Sequence, residues 1–136
     1  MPTLAKTPLA ALGLALGLSL ATHAGAMTRD EYKAAEDRIE AQYKAEKERC
    51  DGLSGDAKDV CVSEAKGKEK VAKAELEAQY KPGGEASAKV AEAKADAAYD
   101  TAKQKCDALA GNAKDVCMKD AKAAHASARS HARQGR

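Results

Sequence analysis

Twelve residues that occur twice constrain this chain more than anything else in it. Cys50 to Cys61 reads CDGLSGDAKDVC, and Cys106 to Cys117 reads CDALAGNAKDVC. These two stretches hold all four cysteines. An offset of 56 superimposes them, and the same offset carries Tyr43 onto Tyr99, Lys47 onto Lys103 and Ala65-Lys66 onto Ala121-Lys122. The duplicated unit is therefore longer than its cysteine centre.

The text around each centre is helical. From residue 27 onward there are 26 alanines against nine Leu, Ile and Val residues, with no Phe and no Trp. So few large apolar side chains argue against a thick core, while Ala, Lys and Glu lose little entropy in a helix. Thr28-Arg29-Asp30-Glu31 has the form of a capping box opening the first helix. Tyr32, Ile39, Tyr43 and Cys50 then recur at steps of 7, 4 and 7, a seam along one side. Gly55 is suited to the left-handed conformation that ends a helix, and Asp56 to capping the next one. Gly111 and Asn112 stand in the same places in the second copy. Pro82-Gly83-Gly84 stops the second helix. The expected architecture is all-α: a hairpin repeat over 27–81, a Pro/Gly linker over 82–85, a second hairpin repeat over 86–124 and a basic tail over 125–136.

In an antiparallel hairpin, residues level with each other in the first copy have numbers summing to about 111. Cys50 then lies beside Cys61, and Cys106 beside Cys117 by the same construction. Four cysteines allow three pairings; the local, duplicated pairing 50–61 and 106–117 is the one expected. A four-thiolate zinc site normally uses C-x₂₋₄-C rather than C-x₁₀-C. Redox catalysis normally uses C-x-x-C with a thiol activated at a helix start, where acidic Asp56, Asp59 and Asp115 would oppose it. The register also sets Tyr32 near Tyr80 and Ile39 near Ala72. In the second copy Tyr32 and Ile39 become Ala88 and Ala95, so the second hairpin is expected to be weakly joined and to fray at its open end.

The N-terminus reads as an export signal. Lys6 precedes an apolar run of 13 residues, Leu9 to Ala21, too short to span a bilayer comfortably. Ala24-Gly25-Ala26 has the small-x-small form of a cleavage site, so residues 1–26 are expected to be removed after Ala26. An exported, periplasmic location also suits persistent disulfides. Losing Lys6 leaves 22 of the 23 basic residues against 21 acidic ones, a net +1 that calls for no nucleic acid.

Other candidate sites are weaker. His125 and His131 are six apart and fall on different helix faces. Lys122, Arg129, Arg133 and Arg136 could give the tail loose electrostatic contact with an anionic surface, but the tail lacks aromatic residues for stacking on bases. G-x-S-x-G, H-E-x-x-H and a Gly-rich phosphate loop do not occur. No enzyme activity, cofactor or metal is expected.

At CDxLxGxAKDVC, followed by Ala-Lys in both copies, the sequence resembles a group of small exported Gram-negative bacterial proteins. These carry the cysteine block in tandem within Ala/Lys/Glu-rich helices and are sometimes labelled TolA-like by composition. The resemblance covers most of 28–124. It implies an envelope location and disulfide hairpins, and it adds no active site. The function expected is a structural, partner-binding or envelope-maintenance role with an unknown partner. The competing readings are a partly disordered stress-protective protein of the late-embryogenesis-abundant type, and a weak metal or polyanion binder acting through the tail.

Overall fold

The computed structural model describes residues 26–135. The expected export signal therefore lies outside the described residues, apart from Ala26, and so does Arg136. Four helices account for nearly all of the rest: α1 Arg29–Cys50, α2 Gly55–Tyr80, α3 Gly84–Asp107 and α4 Gly111–Gln134. The protein is all-α, with each hairpin clipped by a disulfide.

α1 opens on the expected capping box. The Glu31 amide donates to the Thr28 hydroxyl at 3.2 Å, and the Glu31 carboxylate accepts from the Thr28 amide at 2.8 Å. That backbone hydrogen bond is the main reason the Glu31 carboxyl titrates below its ordinary value. α1 ends at Cys50, the last residue of the apolar seam. Asp51 and Gly52 close it with tight turns, and the Leu53 amide donates to the Cys50 carbonyl at 3.0 Å. Gly55 and Gly111 both adopt φ of +58°, the left-handed region where a side chain is costly.

The capping roles expected of Asp56 and Asn112 are not observed. Ser54 and Ala110 occupy the cap positions, and neither helix start carries a side-chain cap. The positive-φ glycine turns the chain directly into the helix, which places Asp56 and Asn112 inside the first turn rather than ahead of it. The corners are instead held by ion pairs that the duplication has retained. Lys58 meets Asp51 at 3.0 Å, and Lys114 meets Asp107 at 2.9 Å.

Among the described residues, each helix packs only on its neighbours in sequence. α2 uses one side, with Cys61, Ala65 and Ala72, against α1. It uses the opposite side, with Ser63, Gly67 and Lys70, against α3. The result is an open row of helices without a shared centre. Among the described residues the buried apolar set is six alanines, Leu76, Cys50 and Cys106. The largest fully buried side chains among the described residues are the two cysteines Cys50 and Cys106. In the first hairpin the Tyr32 and Tyr80 rings lie 4.7 Å apart, and Ile39 and Tyr43 share a small cavity with Ala72.

One expectation about the second half needs correcting. Residues 125–135 are not a separate tail, because α4 continues unbroken to Gln134, with Ala132 buried and Gly135 following. Pro82-Gly83-Gly84 links two hairpins that pack on each other. α3 begins at Gly84, and the α2–α3 seam between the repeats is the most extensive in the molecule. The helices approach closely there because Gly67 has no side chain. A methyl added at 67 would stand 2.9 Å from Ala97 Cβ, and a Cβ cannot swing aside.

Two substitutions separate these effects. Gly→Ala in a solvated helix gains about 1 kcal/mol, whereas overpacking costs about 1–3 kcal/mol. Gly67→Ala should therefore lower stability in urea unfolding, and Ala97→Gly in the same chain should recover part of the loss. Gly55→Ala meets no neighbour but must adopt positive φ, and should cost about 1–2 kcal/mol.

Candidate functional site

The row of helices has two broad faces of different chemistry. Lys68 lines both the α1–α2 and α2–α3 grooves, and Ala102 lines both the α2–α3 and α3–α4 grooves, so these grooves open on one face. Its centre, between α2 and α3, is an open groove of about 600 Å³ with Val71, Ala72, Ala97, Ala98 and Ala102 along it. Val116 extends the apolar character over α4 and is 48 % exposed.

The opposite face is charged. A groove of about 640 Å³ there includes Lys47, Lys58, Lys66, Lys70 and Lys103, with Asp51, Asp59 and Asp100. Lys58 and Lys103 are neutralised by Asp51 and Asp100, each at 3.0 Å. The hydrogen bond to Asp100 is the largest cause holding the Lys103 ammonium above its ordinary pKa. Lys103 also sits 4.8 Å above the Tyr99 ring.

A three-helix charge cluster borders this face. Asp96 of α3 accepts from His125 Nε2 at 2.7 Å and from Lys70 Nζ at 3.2 Å, and Arg129 approaches it at 3.7 Å. The His125 ring stacks on Tyr99 with centroids 4.5 Å apart and planes 9° apart. The hydrogen bond from His125 is the largest cause holding the Asp96 carboxyl below its ordinary pKa. The cluster fastens α4 to α3 and, through Lys70, ties both to α2. Its counterpart in the first hairpin is simpler: Lys73 lies 3.6 Å from Glu40, and the 56-residue offset carries that pair onto Arg129 and Asp96.

The singled-out residues separate into two groups. Cys50 bonds to Cys61 and Cys106 to Cys117, with Cα atoms 5.6 Å and 5.5 Å apart. All four cysteines are thereby used. Two of the four cations proposed for an anionic surface have partners on α3. Arg129 faces Asp96, and Arg133 lies 3.8 Å from Glu92, both on α3. Lys122 is exposed, and Arg136 lies outside the described residues. His125 is committed to Asp96 and Tyr99, while His131 is exposed on α4. Among the described residues no group of three metal-ligating side chains converges, and no helix is long and apolar enough to cross a membrane.

Sequence reasoning missed Asp96 and the corner ion pairs. Both were within reach. Extending the hairpin register to the second copy, where level residues sum to about 223, puts His125 opposite Ala98, within a turn of Asp96. The Asp-x₆-Lys spacing across each glycine corner is also present in both copies. No protein-family profile, curated protein or solved structure matches the chain.

The depressed Asp96 carboxyl gives the α3–α4 seam a pH dependence of definite sign. A lowered folded-state pKa contributes stability that is fully present above the unfolded value, about 3.9, and is lost as pH falls through the lower folded value. Protection of α4 amides in hydrogen exchange should accordingly weaken below about pH 4. Asp96→Asn should reduce that protection by about 1–2 kcal/mol at neutral pH and flatten the acid dependence.

Proposed function

We propose that the chain is a non-enzymatic exported protein of the cell envelope whose helical layer binds a partner or holds envelope components in place. The observation carrying this reading is the pairing of an apolar face and a charged face on a layer with almost no interior of its own. A fold of this kind invests its residues in two surfaces. The oxidised cysteines support an oxidising compartment, and the apolar run ahead of Ala26 supports export through a cleaved signal. Periplasm is the compartment that joins these two features.

The ion pairs support a defined helical state in dilute solution over the disordered stress-protective alternative. Pairs such as Lys94–Glu75 at 2.7 Å and Lys105–Glu64 at 3.4 Å join residues distant in sequence. They require the α2–α3 seam to be formed.

Cell fractionation tests the proposal directly. The protein should be found in the periplasmic fraction, begin at Met27 on N-terminal sequencing and react with no thiol reagent until reduced. Closing a loop of this size contributes roughly 3 kcal/mol, so reduction should lower helicity by circular dichroism at moderate temperature. Recovery from the cytoplasm with four reactive thiols would remove the proposal.

A further inference from the structure

We propose that the apolar groove between α2 and α3 is the contact surface of a two-fold dimer, occupied by the same groove of a second copy. The argument rests on how charge is arranged along its two walls. On the α2 wall, Glu64 and Glu75 stand 11 residues apart, three helical turns, so they share a face. On the α3 wall, Lys94 and Lys105 stand the same 11 residues apart. Each acid is level with one of the bases, since Lys94 meets Glu75 at 2.7 Å and Lys105 meets Glu64 at 3.4 Å. One wall is thus an acidic row and the other a basic row, in register, with an apolar floor between them. Lys68, also on the α2 wall, is drawn away towards α1 by Glu46 at 3.1 Å.

Such a surface is complementary to itself in one orientation. A two-fold axis running along the groove, parallel to the helices, lays α2 of one copy over α3 of the other at the same height. Glu75 then faces the partner's Lys94, and Glu64 faces the partner's Lys105. At mid-groove Val71 comes over the partner's Ala98, a larger side chain against a smaller one. An axis across the helices would instead stack α2 on α2 and bring acid to acid, which is unfavourable. The charge pattern therefore selects the axis as well as the partner. The exposed pairs now spanning the groove within one chain contribute little to its stability, so exchanging them for pairs between copies sacrifices little. The apolar floor, with Val116 extending the face, supplies the area removed from water.

Sedimentation velocity on the oxidised protein tests this. The wild type should sediment as a dimer at low ionic strength and dissociate as salt is raised. Glu64→Lys with Glu75→Lys makes both walls basic, and Lys94→Glu with Lys105→Glu makes both acidic. Each double variant alone should be monomeric, and an equimolar mixture should recover the dimer mass. No repair within either chain can produce that recovery. Ala98→Arg, at an exposed position, should also give a monomer, and serves if a double variant loses helicity. A wild type that stays monomeric up to about 1 mM, the weak end of specific association, overturns the proposal. So does an Ala98→Arg protein that remains dimeric, or a mixture of folded double variants that fails to associate. None of these results bears on whether the protein is exported.

Discussion

Each corner disulfide joins two helices in a chain with almost nothing else large to bury. Cys50 and Cys106 are the largest side chains fully withdrawn from water among the described residues, and the rest of the buried set is nearly all alanine. Methyl groups remove little area each, so packing alone gives the helix pairs a thin margin. A covalent link across a short loop changes the comparison with the unfolded chain rather than adding contacts to the folded one. Level placement of the cysteines, the positive-φ glycine and the Asp–Lys pair beside each corner all act together on that geometry.

With the corners fixed, the long arms need only modest adhesion, and the structure supplies it differently in each seam. α1 and α2 use aromatic and aliphatic side chains, Tyr32 against Tyr80 and Ile39 beside Ala72. α2 and α3 use close backbone approach at Gly67 and Ala97, with Lys70 reaching across to Asp96. α3 and α4 use the cluster around Asp96, where a stacked histidine and an arginine do the work that Tyr and Ile do in the first hairpin. The duplicated halves have thus kept their corners and diverged along their arms.

That division also marks what could be read from the residues alone. The corners were legible because their chemistry is local: glycine and cysteine spacing act within a few residues. The pairing of Tyr32 with Tyr80 followed from the register that the corner imposes. The α2–α3 seam was hidden because Pro82-Gly83-Gly84 looks the same whether it separates two bodies or reverses the chain for close packing. Apolar periodicity also gives no weight to a glycine whose value lies in what it lacks. The last turns of α4 were misread as a tail because Arg129 and Arg133 look like solvent-seeking charges until Asp96 and Glu92 are brought opposite them. Asp56 and Asn112 suggested caps on residue type alone, although the turn at the preceding glycine leaves the cap position to Ser54 and Ala110.

A row of helices joined only to its sequence neighbours can in principle be lengthened without disturbing what is already there. Gly67 sets a condition on such growth. The 56-residue offset carries Gly67 onto Ala123, which faces solvent on α4. A fifth helix arriving at α4 as α3 arrives at α2 would meet a methyl group at the point of tightest approach. One carbon atom at that point thus decides whether two such helices can share a seam.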